Sequence, residues 1–343
     1  MQMGRVMKSG VIAMAAMVLA GTFGQMAAAD VNIYSYRQEH LIRPLLLAFT
    51  LETGIEVKLL TGKADALLER LKSEGHNSPA DLLVTTDVGR MIRAKDAGVL
   101  QPATSPALDK LVPARYRDTE GYWYGVSVRS RVLYYALDLI KPAELSTYED
   151  LASAKWKGRV CIRSSGNIYN QSLLASLIAH NGRDAALSWA KGMVANFARK
   201  PQGGDRDQIK AVAAGECDVA VGNTYYYARM QTAKDDQREA AAKVGIFFPN
   251  QAGRGAHVNI SGVAVTKSAK NFDDAVRLIE YLASDDAQKI YAEVVHEYPI
   301  RDDIPLSKIV GAWGTFKADA LPLATFAADQ GEALRIFDKA GWR

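Results

Sequence analysis

The chain of 343 residues holds only 2 Cys and 5 His, and Phe, Trp and Tyr together make up just 8%. Two cysteines are too few for a disulfide-stapled miniature fold or a cysteine-rich metal cluster. The histidines (His40, His76, His180, His257 and His296) show no close pair at ligand spacing, which removes the imidazole sites that zinc and copper favour. Neither Gly-x-Ser-x-Gly nor His-Glu-x-x-His occurs, and an enzyme using a metal-activated water would lack an evident general base. The acidic pairs Asp235-Asp236 and Asp302-Asp303 lack the spacing of a calcium loop. Charge of one sign is scarce as well. Lys and Arg number 42 against 38 Asp and Glu, a formal excess of +4 spread along the chain, so a pI near 8.8 is no footprint for nucleic acid. No period of 20 to 50 residues repeats and no low-complexity tract appears. With 48% apolar residues the chain can bury a sizeable core, and its length suggests two compact units.

Long hydrophobic runs are confined to the beginning. Arg5 and Lys8 precede an apolar stretch over 11–23, and Ala27-Ala28-Ala29 forms a small-residue cleavage pattern before Asp30. This reads as a secretory signal over residues 1–29, cleaved after Ala29. The stretch falls short of the roughly 20 apolar residues of a membrane anchor. Losing Arg5 and Lys8 with no acid brings the charge excess down to +2. The mature chain is therefore expected to be soluble in an oxidising compartment outside the cytoplasm. There Cys161 and Cys217 can pair, since each sits in a strand-like run with a helix between; two buried thiols are the alternative.

What is present is an alternation of strands and helices. Strands are expected over 31–34, 55–60 and 80–85, with helices over 41–53, 64–73 and 88–97 closed by Gly54, Gly75 and Gly98. That is βαβ grammar, implying a largely parallel sheet. From Trp123 to Leu137 the rhythm turns extended and aromatic, a connection leaving the first unit. The grammar then repeats. Ser146 with Glu149, and Asp205 with Gln208, fit capping boxes. Strands are read over 159–163, 217–221 and 244–248, and helices over 171–180, 184–197 and 205–214. Residues 255–266 are again extended, with a return crossing around 258–265, and 273–295 is mostly helical. The fold class is α/β: two lobes, each a mixed, mostly parallel sheet flanked by helices, joined by a two-strand hinge around a cleft. The first lobe is expected over 30–128 and 263–308, the second over 129–262 and 309–343.

The informative residues are tyrosines. Tyr225-Tyr226-Tyr227 follows Asn223-Thr224 directly after a strand, and Tyr169 occupies the matching place after Ser164-Ser165-Gly166-Asn167. Open α/β sheets bind ligands at such carboxyl ends of strands. A helix N-terminus there, capped by Asn223 or Thr224, favours negative charge, a phenolate included. Free phenol has a pKa of about 10, and a bound trivalent cation overcomes it by deprotonating its ligands. Phenolate is a hard oxygen donor, three of them balance a 3+ ion, and ferric iron is the abundant ion of that kind. Adjacent helical residues do not share a face, so Tyr225 and Tyr226 converge only on a point beyond the helix tip. Packing aromatics are the plain alternative for this run.

The stretches Lys63-Ala64-Asp65, Ser78-Pro79-Ala80-Asp81, Glu144-Leu145-Ser146-Thr147-Tyr148-Glu149-Asp150-Leu151, Ile162-Arg163-Ser164-Ser165, Asn167-Ile168-Tyr169-Asn170-Gln171-Ser172 and Asn223-Thr224-Tyr225-Tyr226-Tyr227-Ala228-Arg229 closely resemble the ferric-iron-binding periplasmic proteins of ABC transporters. The resemblance implies that Tyr169, Tyr225 and Tyr226 ligate Fe(III), that Tyr227 faces elsewhere, and that Arg229 supports the site without touching the metal. Members with an all-protein site place a His or Tyr ligand after a Tyr-Ser-Ser-Arg stretch. Here Tyr34-Ser35-Tyr36-Arg37 is followed by Gln38, Glu39 and His40, as in the branch where a synergistic carbonate completes the coordination. A planar carbonate suits an arginine fork. Arg37 is the first choice to hold it, then Arg129 or Arg131, then Gln38 and Ser165, and without such an anion Glu39 or His40 could reach iron. The resemblance implies a non-enzymatic, monomeric periplasmic protein that delivers iron to an inner-membrane permease. A binder of an oxyanion, held by Ser164, Ser165 and helix N-termini, or of a polyamine is the rival reading.

Overall fold

The computed structural model describes residues 30–343, so the signal segment and its cleavage after Ala29 lie outside the described residues. Strands β1 (Val31–Ser35), β2 (Val57–Thr61), β3 (Leu82–Thr86), β4 (Tyr124–Ala136), β5 (Val160–Cys161), β6 (Val219–Asn223), β7 (Val244–Phe247) and β8 (Val258–Val265) follow one another in the chain. In space they run β2-β1-β3-β8-β4-β6-β5, with β7 paired to β4. The βαβ reading holds at the flanks, where β1 pairs parallel with β2 and β3, and β5 with β6. The centre differs from a largely parallel sheet. Every ladder of β4 and β8 is antiparallel, because these strands enter each lobe from the other instead of returning through a helix.

Strand β4 is buried along its whole length and serves both lobes. Residues 124–130 pair with β8, and residues 131–135 pair with β6. Strand β8 comes back beside it and continues onto β3. The two extended connections expected from the sequence are thus two neighbouring strands crossing between the lobes. Period-two alternation puts Ser127, Arg129 and Arg131 on one face of β4. A buried Arg-x-Arg is thereby aimed at the cleft.

Helices cover both sides of the sheet, and none among the described residues is long and apolar enough to cross a membrane. Helix Glu39–Thr53 ends on Gly54 at φ 72°, the left-handed stop the sequence announced. Helix Gln330–Ala340 packs on helices Ile168–Asn181 and Arg183–Asn196. The chain end is fixed by Trp342, fully buried against Trp189, Phe197 and Phe337. Cys161 of β5 and Cys217, two residues before β6, form a disulfide with their Cα atoms 5.8 Å apart; the strand expected over 217–221 begins only at Val219.

Neither expected capping box forms. Residues 149–152 make a short 3-10 turn whose Asp150 N–H donates to the Thr147 hydroxyl at 3.0 Å, while the Glu149 carboxylate turns to Asn181, Asn250 and Arg254. Helix Asp205–Ala213 is capped at Gly204 by the Asp207 carboxylate, 2.6 Å from the Gly204 N–H. Asp205 is thus released into the interior. The strand read over 159–163 shrinks to Val160–Cys161, with Arg159 paired to Asp218 before it and Arg163 to Asp205 after it. The helical stretch expected over 273–295 breaks at Ser284 and ends in a π turn, Tyr291–Val295, stopped by His296 at φ 60°. Such turns re-aim the chain next to functional sites. This one delivers Glu297 into the cleft.

Candidate metal centre

Tyr225 lies in the first turn of helix Thr224–Gln231, immediately past β6, and Tyr169 in the first turn of helix Ile168–Asn181, just past β5. Both are 5% exposed. The Asn167 side chain caps the second helix by accepting from the Asn170 N–H at 3.2 Å. Neither expected residue caps the first helix with its side chain: Asn223 Oδ1 accepts from Arg131 at 3.1 Å, and the Thr224 hydroxyl accepts from the Ser130 N–H at 3.3 Å. Both strand ends therefore present phenols to one crevice. The rings of Tyr225 and Tyr226 stand side by side, centroids 4.1 Å apart and 31° between planes. The two adjacent rings thus lie against each other although neighbouring positions on a helix do not share a face.

The phenols feel one another. Burial pushes Tyr225 well above 10, and the charge of a Tyr169 or Tyr226 phenolate pushes it further, against the pull of Arg129. Burial likewise raises Tyr226, with Tyr169 and Asp205 adding to the shift and a hydrogen bond from Tyr225 opposing it. Left to themselves these hydroxyls keep their protons at neutral pH. Tyr227 behaves otherwise: its hydroxyl donates to the Val244 carbonyl and its ring packs on Tyr134 and Trp313. Burial holds it at about 12.

A guanidinium stands by each phenol of the crevice. Arg129 lies 5.9 Å from the Tyr225 centroid, Arg131 5.8 Å from that of Tyr169, and Arg206 5.6 Å from that of Tyr226. Arg37, Arg129 and Arg131 are at most 2% exposed. Burying such charges demands partners. Glu297 supplies one carboxylate to Arg37 at 2.9 Å and to Arg129 at 3.2 Å, and Asp205 supplies another to Arg131 at 2.8 Å and to Arg163 at 2.6 Å. Burial pushes the Glu297 carboxyl up, yet Arg129 and Arg37 outweigh it and hold the group below the usual carboxylate range. Asp205 comes this close because Gly222 leaves room: a Cβ there would sit 2.9 Å from Asp205 Oδ1 and 2.4 Å from the Tyr134 ring. Four guanidiniums share two carboxylates, an excess of two positive charges in that network, and Arg206 beside Tyr226 adds a further cation. Several donors are also left over, with Nε of Arg37 and both Nε and Nη1 of Arg129 buried without a hydrogen-bond partner.

The remaining residues expected at the site scatter. Gln38 is exposed at the start of helix Glu39–Thr53, its side chain capping nothing. Glu39 is exposed and paired with Arg43 one turn on, so the structure does not bring its carboxylate to the phenols. His40 stands at the cleft mouth with Arg206, Arg229 and His296. Arg229 is half-buried there, close enough to Tyr225 to sense its charge. Ser165 is half-buried, and its carbonyl accepts from Gln171. Among the described residues no group of three or more His, Cys, Asp and Glu could hold a metal.

Sequence reasoning missed Glu297, Asp205, Arg163, Arg206 and Thr86. Asp205 was legible only as a helix cap, and Glu297 had no motif around it. A buried Arg-x-Arg on an apolar strand was the available signal, because such charges require acids from elsewhere. Thr86, at the end of β3 in the other lobe, accepts the Tyr169 hydroxyl at 3.1 Å. Close by, Asp87 accepts from Ser172 at 2.7 Å and from Gln330 at 3.1 Å. The cleft is thereby closed across the tyrosines.

Residues 45–318 match the family described as bacterial extracellular solute-binding protein. "Iron uptake protein A1" of Synechocystis sp. is 50% identical over 315 residues, covering 92% of this chain and 88% of that protein. A Trichodesmium protein solved "in complex with iron and citrate ligands" superposes with a TM-score of 0.88 at 48% identity, covering 92% of this chain and all of that one. The "ferric binding protein from Campylobacter jejuni" gives a TM-score of 0.88 at 41% identity with the same coverage.

Proposed function

Since the chain belongs to the bacterial extracellular solute-binding protein family, we propose that it captures ferric iron between its lobes in the periplasm and hands it to an inner-membrane ABC permease. Tyr169, Tyr225 and Tyr226 are the ligands. The observation that carries this reading is the cluster of three mutually interacting phenols at two helix N-termini, Tyr169 and Tyr225 buried and Tyr226 partly so. Iron displaces their protons and supplies the three positive charges that three phenolates balance. The iron-binding relatives of Synechocystis, Trichodesmium and Campylobacter support the choice of metal.

Carbonate completes the coordination. Once iron and the phenolates cancel, surplus guanidinium charge remains, and a dianion against Arg37 and Arg129 offsets two of those charges while using their free donors. The same surplus disfavours a polyamine. Binding and release need no bond chemistry, and the protein acts as a monomer. Bicarbonate dependence tests the site: with iron supplied as its nitrilotriacetate complex, the phenolate-to-iron visible band should be strong with bicarbonate and weak without it. A band indifferent to bicarbonate would remove the anion from the account, and the absence of any band would remove the phenolates.

A further inference from the structure

Alternation along β4 sends Ser127, Arg129 and Arg131 to the cleft and Val128 to the opposite face, where Val258 of β8, paired with Ser130, joins it. Behind the crossing strands these valines line a cavity of about 730 Å³. Tyr298 and Leu306 contribute from the segment after Glu297, and Phe316 and Leu321 from the segment leading to the C-terminal helices. Tyr298 is tied to the first lobe's half of β4 by a backbone pair with Val128, at 2.7 and 2.9 Å. Phe316 is stacked on Phe248 of the second lobe, centroids 4.4 Å apart. The Tyr298 and Phe316 rings meet edge-on between the lobes, 5.2 Å between centroids. The crossing strands are the pivot, so a rotation that shuts the cleft on one face parts the lobes on the other. Here the cleft is shut, with Tyr169 bonded to Thr86 across it, and the cavity lies open behind.

We propose that this cavity is an allosteric site for a small uncharged molecule with an aromatic body and a hydrogen-bond acceptor, and that its occupant holds the cleft shut. The volume lies within the range of pockets that hold small organic ligands, and the apolar walls suit such a body. A charged ligand finds the rim already paired: Arg115 with Asp302 at 3.5 Å, Arg301 with Asp285 and Asp303, and Asp319 with His180 at 2.8 Å. The Tyr298 hydroxyl, by contrast, is buried with no hydrogen-bond partner among the described residues, a donor that an acceptor on the ligand satisfies. A filled gap resists the reverse rotation, because reopening the cleft closes the back on the ligand. Iron in front and the ligand behind favour the same lobe arrangement, so each tightens the other by the same factor. That coupling rests on the ferric reading; the cavity and its ligand class do not.

Prodan, a neutral naphthyl ketone, is the probe, titrated by fluorescence into the iron-free protein beside the anionic dye anilinonaphthalenesulfonate. Saturable one-to-one prodan binding is expected, with the anion weaker. Ala320→Trp, which fills the cavity from an exposed position on its lining, should abolish prodan binding, and Tyr298→Phe should weaken it severalfold. Thermal melts establish that both variants are folded. Small-angle scattering of the iron-free protein should show a smaller radius of gyration with prodan than without it. Saturating prodan should also raise ferric affinity about fivefold or more, read as retention of the visible band against a competing chelator. No prodan binding, an anion bound as tightly, unchanged binding in either variant, a scattering curve indifferent to prodan, or an unaltered ferric affinity would each overturn the proposal. The titration and the scattering contain no iron, so their failure is distinct from failure of the ferric reading, which absence of the visible band reports.

Discussion

A phenol at neutral pH is a poor ligand, and burial makes Tyr225 and Tyr226 poorer still until a cation arrives. The site therefore favours an ion of high charge, whose field repays the removal of several protons. Tyr226→Phe deletes one oxygen and leaves the ring stacked on Tyr225. Ferric affinity should fall by more than the roughly 10- to 100-fold typical of losing a mere partner of a ligand, with much of the visible colour gone and the melting curve nearly unchanged. Unaltered colour and affinity would exclude Tyr226 as a ligand. A second residue-scale consequence concerns His257, fully enclosed beside Phe326. Burial, with Arg131 and Arg254, pushes its pKa down to about 3. The unfolded chain takes that proton near pH 6.5, the folded one only near 3, so stability is lost as pH falls through this window, by up to about 1.4 kcal/mol per pH unit. Urea midpoints at pH 7 and pH 5 should differ less in His257→Leu than in the wild type; an unchanged difference would assign the acid lability to other groups.

At the scale of elements, the site is held by strand ends and the turns that follow them. β5 is two residues long and still leads into the Tyr169 turn, because its parallel register with β6, Val160 to Val219 and Cys161 to Ala220, holds it, with the Cys161–Cys217 disulfide as a covalent tie beside it. That bond closes a loop with a sequence separation of 56. Chain-entropy reasoning gives it about 4 kcal/mol, and measured disulfides commonly contribute about 2–4 kcal/mol. Replacing Cys161 and Cys217 together with alanine should lower unfolding stability by about that amount while the ferric band survives, since the sulfurs are enclosed in the hydrophobic core and β5 keeps its register with β6. Loss of the band with stability intact would mean that the bond shapes the site directly. Much of this level was readable beforehand. Both crossing strands, the glycine stop at Gly54 and the tyrosine helix followed from periodicity and local chemistry. Glu297 and Asp205 were not readable, because they are defined by long-range demand: each answers at least one buried arginine more than 70 positions away in the chain. The lapse at Ser146 and Glu149 has the same origin, a local capping pattern overruled by Asn181, Asn250 and Arg254.

For the whole molecule, two lobes joined by β4 and β8 can hinge about those strands, and polar contacts across the cleft stand beside apolar ones between the lobes such as Tyr298 on Phe316. Tyr169 to Thr86, Ser172 to Asp87 and the ion pairs of Glu297 are the kind that a filled site strengthens and an empty one leaves marginal. In the proposed function cargo and closure are coupled, and protonation of the proposed phenolates and anion is the route to release. The central claim is that three particular phenol oxygens bind the iron. Resonance Raman scattering excited within the visible band of the ferric protein tests it most directly. The account predicts tyrosinate ring modes that weaken in each of Tyr169→Phe, Tyr225→Phe and Tyr226→Phe and vanish when all three are replaced. Iron-loaded protein without such modes, or modes that persist in the triple variant, would contradict it.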